Sequence, residues 1–249
     1  MPILEATGLT KRFGGFVAVD NVDLAVESAE VRSVIGPNGA GKTTLFNLLT
    51  GTYEVTSGDI VFDGRDITDM PEYERPYIGI SRGYQITNTY ESLTVFENLQ
   101  TAVALFHENY YDMVRPLDGR AAVTERAEEL LEKLGLAEKQ AVEASSLSHG
   151  DRRRLEIGMA LAAEPRLLLL DEPTAGMDAS ETERTVSLIE DLTDEMAVLL
   201  VEHDIEYVMA VSDTITVLER GSVIADGPPS AIRQDERVQE AYLGGAVDA

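Results

Sequence analysis

The stretch Gly36-Pro37-Asn38-Gly39-Ala40-Gly41-Lys42-Thr43-Thr44 constrains this chain more than any other. Val31 to Ile35 before it is an apolar run that reads as a strand. Leu45, Phe46, Leu48 and Leu49 after it begin a helical pattern that Gly51 is placed to stop. Strand, glycine-rich turn and helix in that order make a phosphate-cradling loop, because glycines let successive backbone N–H groups turn inward around an anion. Lys42 supplies a point charge to β- and γ-phosphates, and the Thr43 hydroxyl is a Mg²⁺ ligand. The nucleotide-binding set is Asn38, Gly39, Ala40, Gly41, Lys42, Thr43 and Thr44. A glycine-rich turn without a ligand is the alternative, and the matching flanks disfavour it.

A chain of 249 residues can bury roughly 70–75% of its unfolded surface, enough for one large domain with a sub-domain. No apolar run approaches the ~18–20 residues of a membrane span. The first residues show no basic-then-apolar signal, and there is no cysteine, so neither a secretory signal nor a disulfide framework is expected. These features point to a soluble cytoplasmic protein. The net charge is −25, from 45 acidic and 20 basic residues. Such a surface repels nucleic acid and anionic lipid alike, so no nucleic-acid partner is expected. The carboxylates are spread through foldable segments rather than gathered in a tail, which suggests adaptation to a salty cytoplasm.

Periodicity divides the chain into three parts. Ile3 to Leu9, Val17 to Val26 and Val31 to Ile35 read as strands, and Gly58 to Gly64 as a strand entering an Asp-Gly turn. The centre is helical. Thr94-Val95-Phe96-Glu97 fits a capping box before Leu99, Ala102, Val103 and Phe106, and Ala127, Leu130, Leu131 and Leu134 share a second helical face ending at Gly135. Between them, Tyr110 to Gly119 reads as a loop. A helix through Leu155, Met159 and Ala162 is then ended by Pro165. Leu167 to Leu170 is a strand buried on both faces, followed by a helix over Glu181 to Leu192, a strand over Ala197 to Val201, and a hairpin of Thr214 to Leu218 with Ser222 to Ala225. The expected fold is α/β, with a parallel sheet behind the P-loop, a strand-rich N-terminal part and an inserted α-helical sub-domain. Its expected limits are 1–85 and 149–249 for the core, and 86–148 for the insertion.

Two further phosphate signals accompany the loop. Asp171 and Glu172 end the Leu167 strand, at the carboxyl edge where open parallel sheets bind ligands. Asp171 is placed to hold Mg²⁺ through water, and Glu172 to polarise the water that attacks a γ-phosphate. Leu147-Ser148-His149-Gly150-Asp151 opens a helix with Ser148 as N-cap, an anion-binding arrangement. Alone, the first pair is an ordinary solvated turn and the second ordinary capping; their order behind a P-loop gives them another meaning.

Together these elements resemble the nucleotide-binding subunit of ATP-binding-cassette (ABC) transporters over essentially the whole chain, and the resemblance implies an α/β P-loop ATPase core with a parallel sheet, an N-terminal antiparallel β sub-domain and an inserted α-helical sub-domain. Leu147 to Asp151 is similar to the family's signature, usually Leu-Ser-Gly-Gly-Gln; His149 and Asp151 depart from it, while Ser148 and Gly150 are kept. Asp151 brings a negative charge to that helix N-terminus, and Arg152-Arg153-Arg154 either offsets it or forms a solvated face. The resemblance implies that Gln85 senses Mg²⁺ and the attacking water, that Asp178 lies in the D-loop, and that His203 contacts the γ-phosphate. It further implies that Phe13 stacks on adenine, with Phe16 the lesser candidate, and that Val19 joins the nucleotide-binding set.

The resemblance also implies ATP and Mg²⁺ as cofactors and a head-to-tail pair of protomers, homodimer or heterodimer, in which Ser148 and Gly150 of one chain meet nucleotide on the P-loop of the other. Transmembrane permease subunits would dock at the helical insertion, on the cytoplasmic face of the membrane, with a solute-binding protein as indirect partner. Phe13 to Val19, Arg153 to Gly158, Ala175-Gly176-Met177, Glu202-His203-Asp204 and Glu240 to Gly244 resemble the branched-chain amino acid uptake group. The urea and short-chain amide importers share much of this pattern and stay open as the alternative. A soluble ABC protein of translation or DNA repair would show tandem cassettes or a long coiled coil. A P-loop kinase or GTPase would lack the Ser148 and His203 elements, and a purely regulatory nucleotide-binding module would have no need of Glu172.

Overall fold

The computed structural model describes residues 2–83, 89–107 and 121–243. β1 (Leu4–Phe13) and β2 (Phe16–Val26) form an antiparallel hairpin, longer at the turn end than the apolar pattern alone implies. Leu4 and Ala6 are buried while Glu5 and Thr7 are not, the alternation of a strand with one covered face. β3 (Val31–Ile35), buried throughout, runs into the glycine-rich loop, and α1 (Lys42–Leu49) leaves it. α1 stops where Gly51 turns to φ +79°. β4 (Ser57–Phe62) pairs with β1 and with the short β5 (Arg65–Asp66), through an Asp63-Gly64 turn with both φ positive. A 3-10 turn, Glu72–Ile78, precedes β6 (Ile80–Gly83).

The central helices are α2 (Val95–His107) and α3 (Ala121–Lys133). The capping box of α2 is formed: the Thr94 amide donates to Glu97 Oε2 at 2.8 Å and the Glu97 amide to Thr94 Oγ1 at 3.2 Å. The expected loop Tyr110 to Gly119 lies outside the described residues. α4 (His149–Leu161) ends before Pro165 can act on it, and Glu164 takes a positive φ of 49° on the way out. There follow β7 (Leu167–Asp171), α5 (Ala179–Thr193), β8 (Ala197–Val201), α6 (Ile205–Val211), β9 (Thr214–Glu219), β10 (Ser222–Gly227), α7 (Pro229–Gln234) and α8 (Glu236–Leu243).

β2-β1-β4-β5 is an antiparallel sheet, whereas β10-β9-β3-β8-β7-β6 is parallel except for its β10 edge. Side chains of the central strands alternate between two cores. Leu168, Leu170, Val198 and Leu200 face one cluster, shared with α2, α3, α4 and α5. Leu167, Leu169, Ala197 and Leu199 face the other, shared with α1 and the antiparallel sheet. A sheet covered on both sides needs the unbroken apolar runs seen in β7 and β8. Register sets the site: Val201 at the end of β8 lies opposite Val34 of β3 and Asp171 of β7. The loops that leave these three neighbouring strands therefore start at one level.

Candidate functional site

The loop after β3 takes its shape from glycines that nothing else could replace. Gly36 has φ +155°, and a Cβ there would lie 2.2 Å from the Leu218 carbonyl oxygen. Gly41 has φ +104°, and its Cβ would lie 2.4 Å from the Ala18 carbonyl oxygen. Gly41 also occupies the N-cap of α1 with no side-chain cap, leaving the first amides of that helix to a ligand. Lys42 folds back so that Nζ donates to Gly36 O at 2.6 Å and Pro37 O at 3.3 Å. Burial lowers the Lys42 pKa, while the charges of Glu172 and Asp171 oppose that fall. A cleft of about 270 Å³ opens here, lined by Phe16, Ala18, the loop from Asn38 to Thr44, and Glu172.

Asp171 is almost fully buried, and its Oδ2 has no hydrogen-bond partner. Burial raises its pKa; Arg82 and Arg153 pull it down, Glu172 and Glu202 push it up. A buried carboxylate oxygen without a partner and the exposed Thr43 hydroxyl are hard oxygen donors that fit Mg²⁺. No group of three or more metal-ligating side chains occurs among the described residues. Mg²⁺ needs none, since it keeps several waters and uses one or two protein ligands. Arg153 donates to the Asp171 backbone carbonyl at 2.5 Å and to Glu156 at 3.0 Å, fixing the end of β7.

Glu172 sits at φ +45° with its amide bonded to Val201 O at 2.8 Å. That unusual backbone turns its half-buried side chain toward β8, where Glu172 Oε1 is 3.4 Å from His203 Nδ1. Glu202, fully buried, holds the other side: its Oε2 is 3.7 Å from His203 Nδ1 and accepts the His203 amide at 3.2 Å. Its Oε1 accepts the Thr174 hydroxyl at 2.8 Å and the Thr174 amide at 3.2 Å. Glu202 and Thr174 therefore tie the loop after β7 to the loop after β8. In the sequence, Glu202 is a carboxylate directly after a buried strand, the same signal as Asp171, and beyond its place in the Glu202-His203-Asp204 family mark nothing local announces its contact with Thr174.

At α4, Ser148 Oγ accepts the Asp151 amide at 3.2 Å as an N-cap. His149 Nε2 is 3.0 Å from Ala175 O, and the Gly150 amide donates to Glu181 Oε1 at 3.3 Å. The loop that holds Ala175 also holds Asp178, which caps α5 by accepting the Glu181 amide at 2.9 Å. Asp151 is buried between Lys139 and Arg154, both of which donate to its carboxylate. Burial alone would raise its pKa, but Lys139 and Arg154 reverse the sign and lower it. The run Arg152 to Arg154 is not a solvated face, since Arg153 and Arg154 are buried and engaged. Phe13 packs edge-on against Tyr53, with centroids 5.5 Å apart and Lys11 Nζ 5.2 Å above its ring. Val19 is fully buried, and Phe16, not Phe13, lines the cleft. Gln85 lies outside the described residues.

Similarity to known proteins follows the same outline. A family model described as ABC transporter matches residues 19–175, and one described as branched-chain amino acid ATP-binding cassette transporter matches residues 222–248. The chain is 42% identical over 252 residues to the high-affinity branched-chain amino acid transport ATP-binding protein BraF of Pseudomonas aeruginosa, covering 98% of this chain and 99% of that one. It is similar to a crystal structure of the ADP conformation of an ATP-binding cassette of an ABC transporter, with TM-score 0.88, 30% identity, and 98% and 99% coverage. A dimeric post-hydrolysis cassette bound to ADP and Pi gives TM-score 0.77 at 26% identity, over 91% of this chain and 98% of that one.

Proposed function

This chain belongs to the ABC transporter family as an ATP-binding, ATP-hydrolysing subunit, and from that membership we propose that it powers a branched-chain amino acid importer as one of two facing protomers. One observation carries the two-protomer reading. The cleft at the P-loop is lined by Phe16, Ala18, residues 38–44 and Glu172, and among the described residues that line it none comes from Ser148 or Gly150. A second chain, head to tail, would supply them.

In this reading Lys42 and the amides from Asn38 to Thr44 bind the β- and γ-phosphates, and Phe16 lines the base end, with the exposed Phe13 outside the cleft lining and Val19 buried out of reach of the base. Glu172 takes the proton of the attacking water while His203, oriented by Glu202, contacts the γ-phosphate. Thr43, Asp171 and Gln85 would hold Mg²⁺, which supplies charge neutralisation at the β- and γ-oxygens. Asp178 lies in the loop expected to face the partner. ATP then favours the closed pair over the open one, and hydrolysis reverses that preference. The core comprises 1–85 and 149–249, with 86–148 as the helical sub-domain.

No helix among the described residues is long and apolar enough to cross a membrane. A groove of about 400 Å³ between the 3-10 turn, α2 and α4 is mainly apolar, with Tyr90, Leu105 and Phe106 on its wall. It is the surface offered to a permease at the cytoplasmic face, with a solute-binding protein acting through that permease. The match over 222–248 and the identity to BraF favour branched-chain amino acids over urea or short-chain amides. Glu172→Gln should bind ATP, persist as a dimer and lose turnover. Light scattering that finds it monomeric in Mg-ATP overturns the two-protomer reading. Uptake of labelled urea but not labelled leucine, by cells carrying the chain with its neighbouring permease, overturns the solute.

A further inference from the structure

We infer that Lys139 is a positioning residue for ATP-driven closure: with Arg154 it neutralises Asp151 and so fixes the α4 turn that presents Ser148 and Gly150 to the partner's nucleotide. The inference rests on the two-protomer reading. Asp151 is 3% exposed at the third position of α4, and its amide is the group that Ser148 Oγ caps. Its two carboxylate oxygens are divided between two cations: Oδ2 accepts Lys139 Nζ and Oδ1 accepts Arg154 Nη2. Arg154 lies on α4 itself, three residues beyond Asp151, whereas Lys139 comes from the stretch after α3, and both tie Asp151 to that stretch. Arg154 Nη1 donates to Leu134 O at 2.7 Å, and Lys139 closes the 3-10 turn Ala137–Lys139 that follows α3. The first turn of α4 is thereby bolted to the end of α3.

Charge gives the bolt a second effect. A lone carboxylate one turn from Ser148 would repel a γ-phosphate brought up by the partner, whereas Lys139 and Arg154 together outweigh the Asp151 charge and offset Glu181, which meets the Gly150 amide at the same helix N-terminus. The chain has four lysines, Lys11, Lys42, Lys133 and Lys139, against 45 acidic residues. Each of the four donates to a specific partner: Glu54 O, the P-loop carbonyls, Glu195 and Asp151. Lys139 is also 47% exposed, so its replacement leaves the core intact.

The test uses the Glu172→Gln protein, titrated with Mg-ATP at one fixed salt concentration and followed by light scattering. Adding Lys139→Gln should raise the ATP concentration for half-maximal dimer about tenfold, since one partner of a buried charge is lost. Lys139→Arg should stay within about twofold of the parent. Removing the charge that needs compensation, with Asp151→Asn beside Lys139→Gln, should restore most of the loss, the coupling expected of a direct charge pair. Nucleotide affinity of monomer, read in a Ser148→Arg background, should be unchanged by Lys139→Gln. Dimerisation of the Lys139→Gln protein at parental ATP overturns the inference and leaves the two-protomer reading standing. Failure of the Glu172→Gln parent to dimerise overturns that reading instead. Should Lys139→Gln melt below the assay temperature, a double variant that folds but does not dimerise overturns the inference.

Discussion

Replacing Arg75 with methionine should destabilise the protein by about 4 kcal/mol without touching the nucleotide. Arg75 is 2% exposed and spans three carbonyls: Nε to Met70 O at 3.1 Å, Nη1 to Leu49 O at 2.5 Å and Nη2 to Ile67 O at 3.1 Å. Leu49 is the last residue of α1, so the guanidinium caps the helix whose other end carries the P-loop. Hydrogen bonds to a charged group contribute about 1.5–3 kcal/mol each, or roughly 4.5–9 for three. Against them stands the burial of the charge, which pushes the Arg75 pKa down to about 10 with Glu72 opposing, a penalty of about 3 kcal/mol. The remainder, about 1.5–6 kcal/mol, centres near 4 and corresponds to a Tm lower by roughly 8–16 °C in a chain of this size. Arg75→Lys should recover only part, because an ammonium cannot span three carbonyls as a planar fork does. Calorimetry of the nucleotide-free protein decides it. A methionine variant melting within about 2 °C of the parent would mean that the bonds and the burial cancel, and that Arg75 does not secure α1.

Asp171→Asn should melt higher than the parent without nucleotide, yet lose about 10–100-fold in Mg²⁺ affinity, both readable by thermal shift with and without Mg-ATP. The sign follows from the raised pKa: the native state holds the Asp171 proton more readily than the unfolded chain does. Its penalty is therefore present above the folded pKa, vanishes as pH falls below the unfolded value, and should be missing from the variant's pH profile. For Asp151, whose pKa is lowered, the stabilisation is present above the ordinary carboxylate range and is lost as pH falls through the folded value. Asp151→Asn should flatten that acid limb. Ser148→Arg should leave monomer nucleotide binding intact and abolish the ATP-dependent dimer in light scattering. Lowering salt from about 2 M to 0.1 M, which lengthens the screening distance from under 3 Å to about 10 Å, should reduce both Tm and ATPase activity in a chain of net charge −25; equal values at both salts would refute the salt adaptation.

What the sequence made legible was local. The P-loop, the Thr94 capping box, the Asp63-Gly64 turn and the buried runs of β7 and β8 each carry their instruction within a few residues. Parallel pairing then follows from helices between strands, and it brings Lys42, Asp171, Glu172 and His203 to one edge. Contacts across the fold were not legible. Lys139 and Asp151 are twelve residues apart with α4 beginning between them, and Arg75 reaches back 26 residues to Leu49. Nothing in their spacing announces a pair in a chain so rich in carboxylates. Arg152 to Arg154 looked equally suited to solvent because helical periodicity tells which residues share a face, not what that face meets. The short α6, α7 and α8 carry too few turns for their period to stand out.

The bond from His149 to the Ala175 carbonyl, with Gly150 leaning on Glu181, makes one stiff piece of two parts that would serve different ATP molecules in a facing pair. The turn at α4 answers to the partner's nucleotide, and Ala175 follows Glu172 by three residues. News of one occupied pocket would thus reach the other through a single stiff joint. Such a pair would respond to rising ATP with a Hill slope above one, and a mixed pair with one silent half would work at less than half speed.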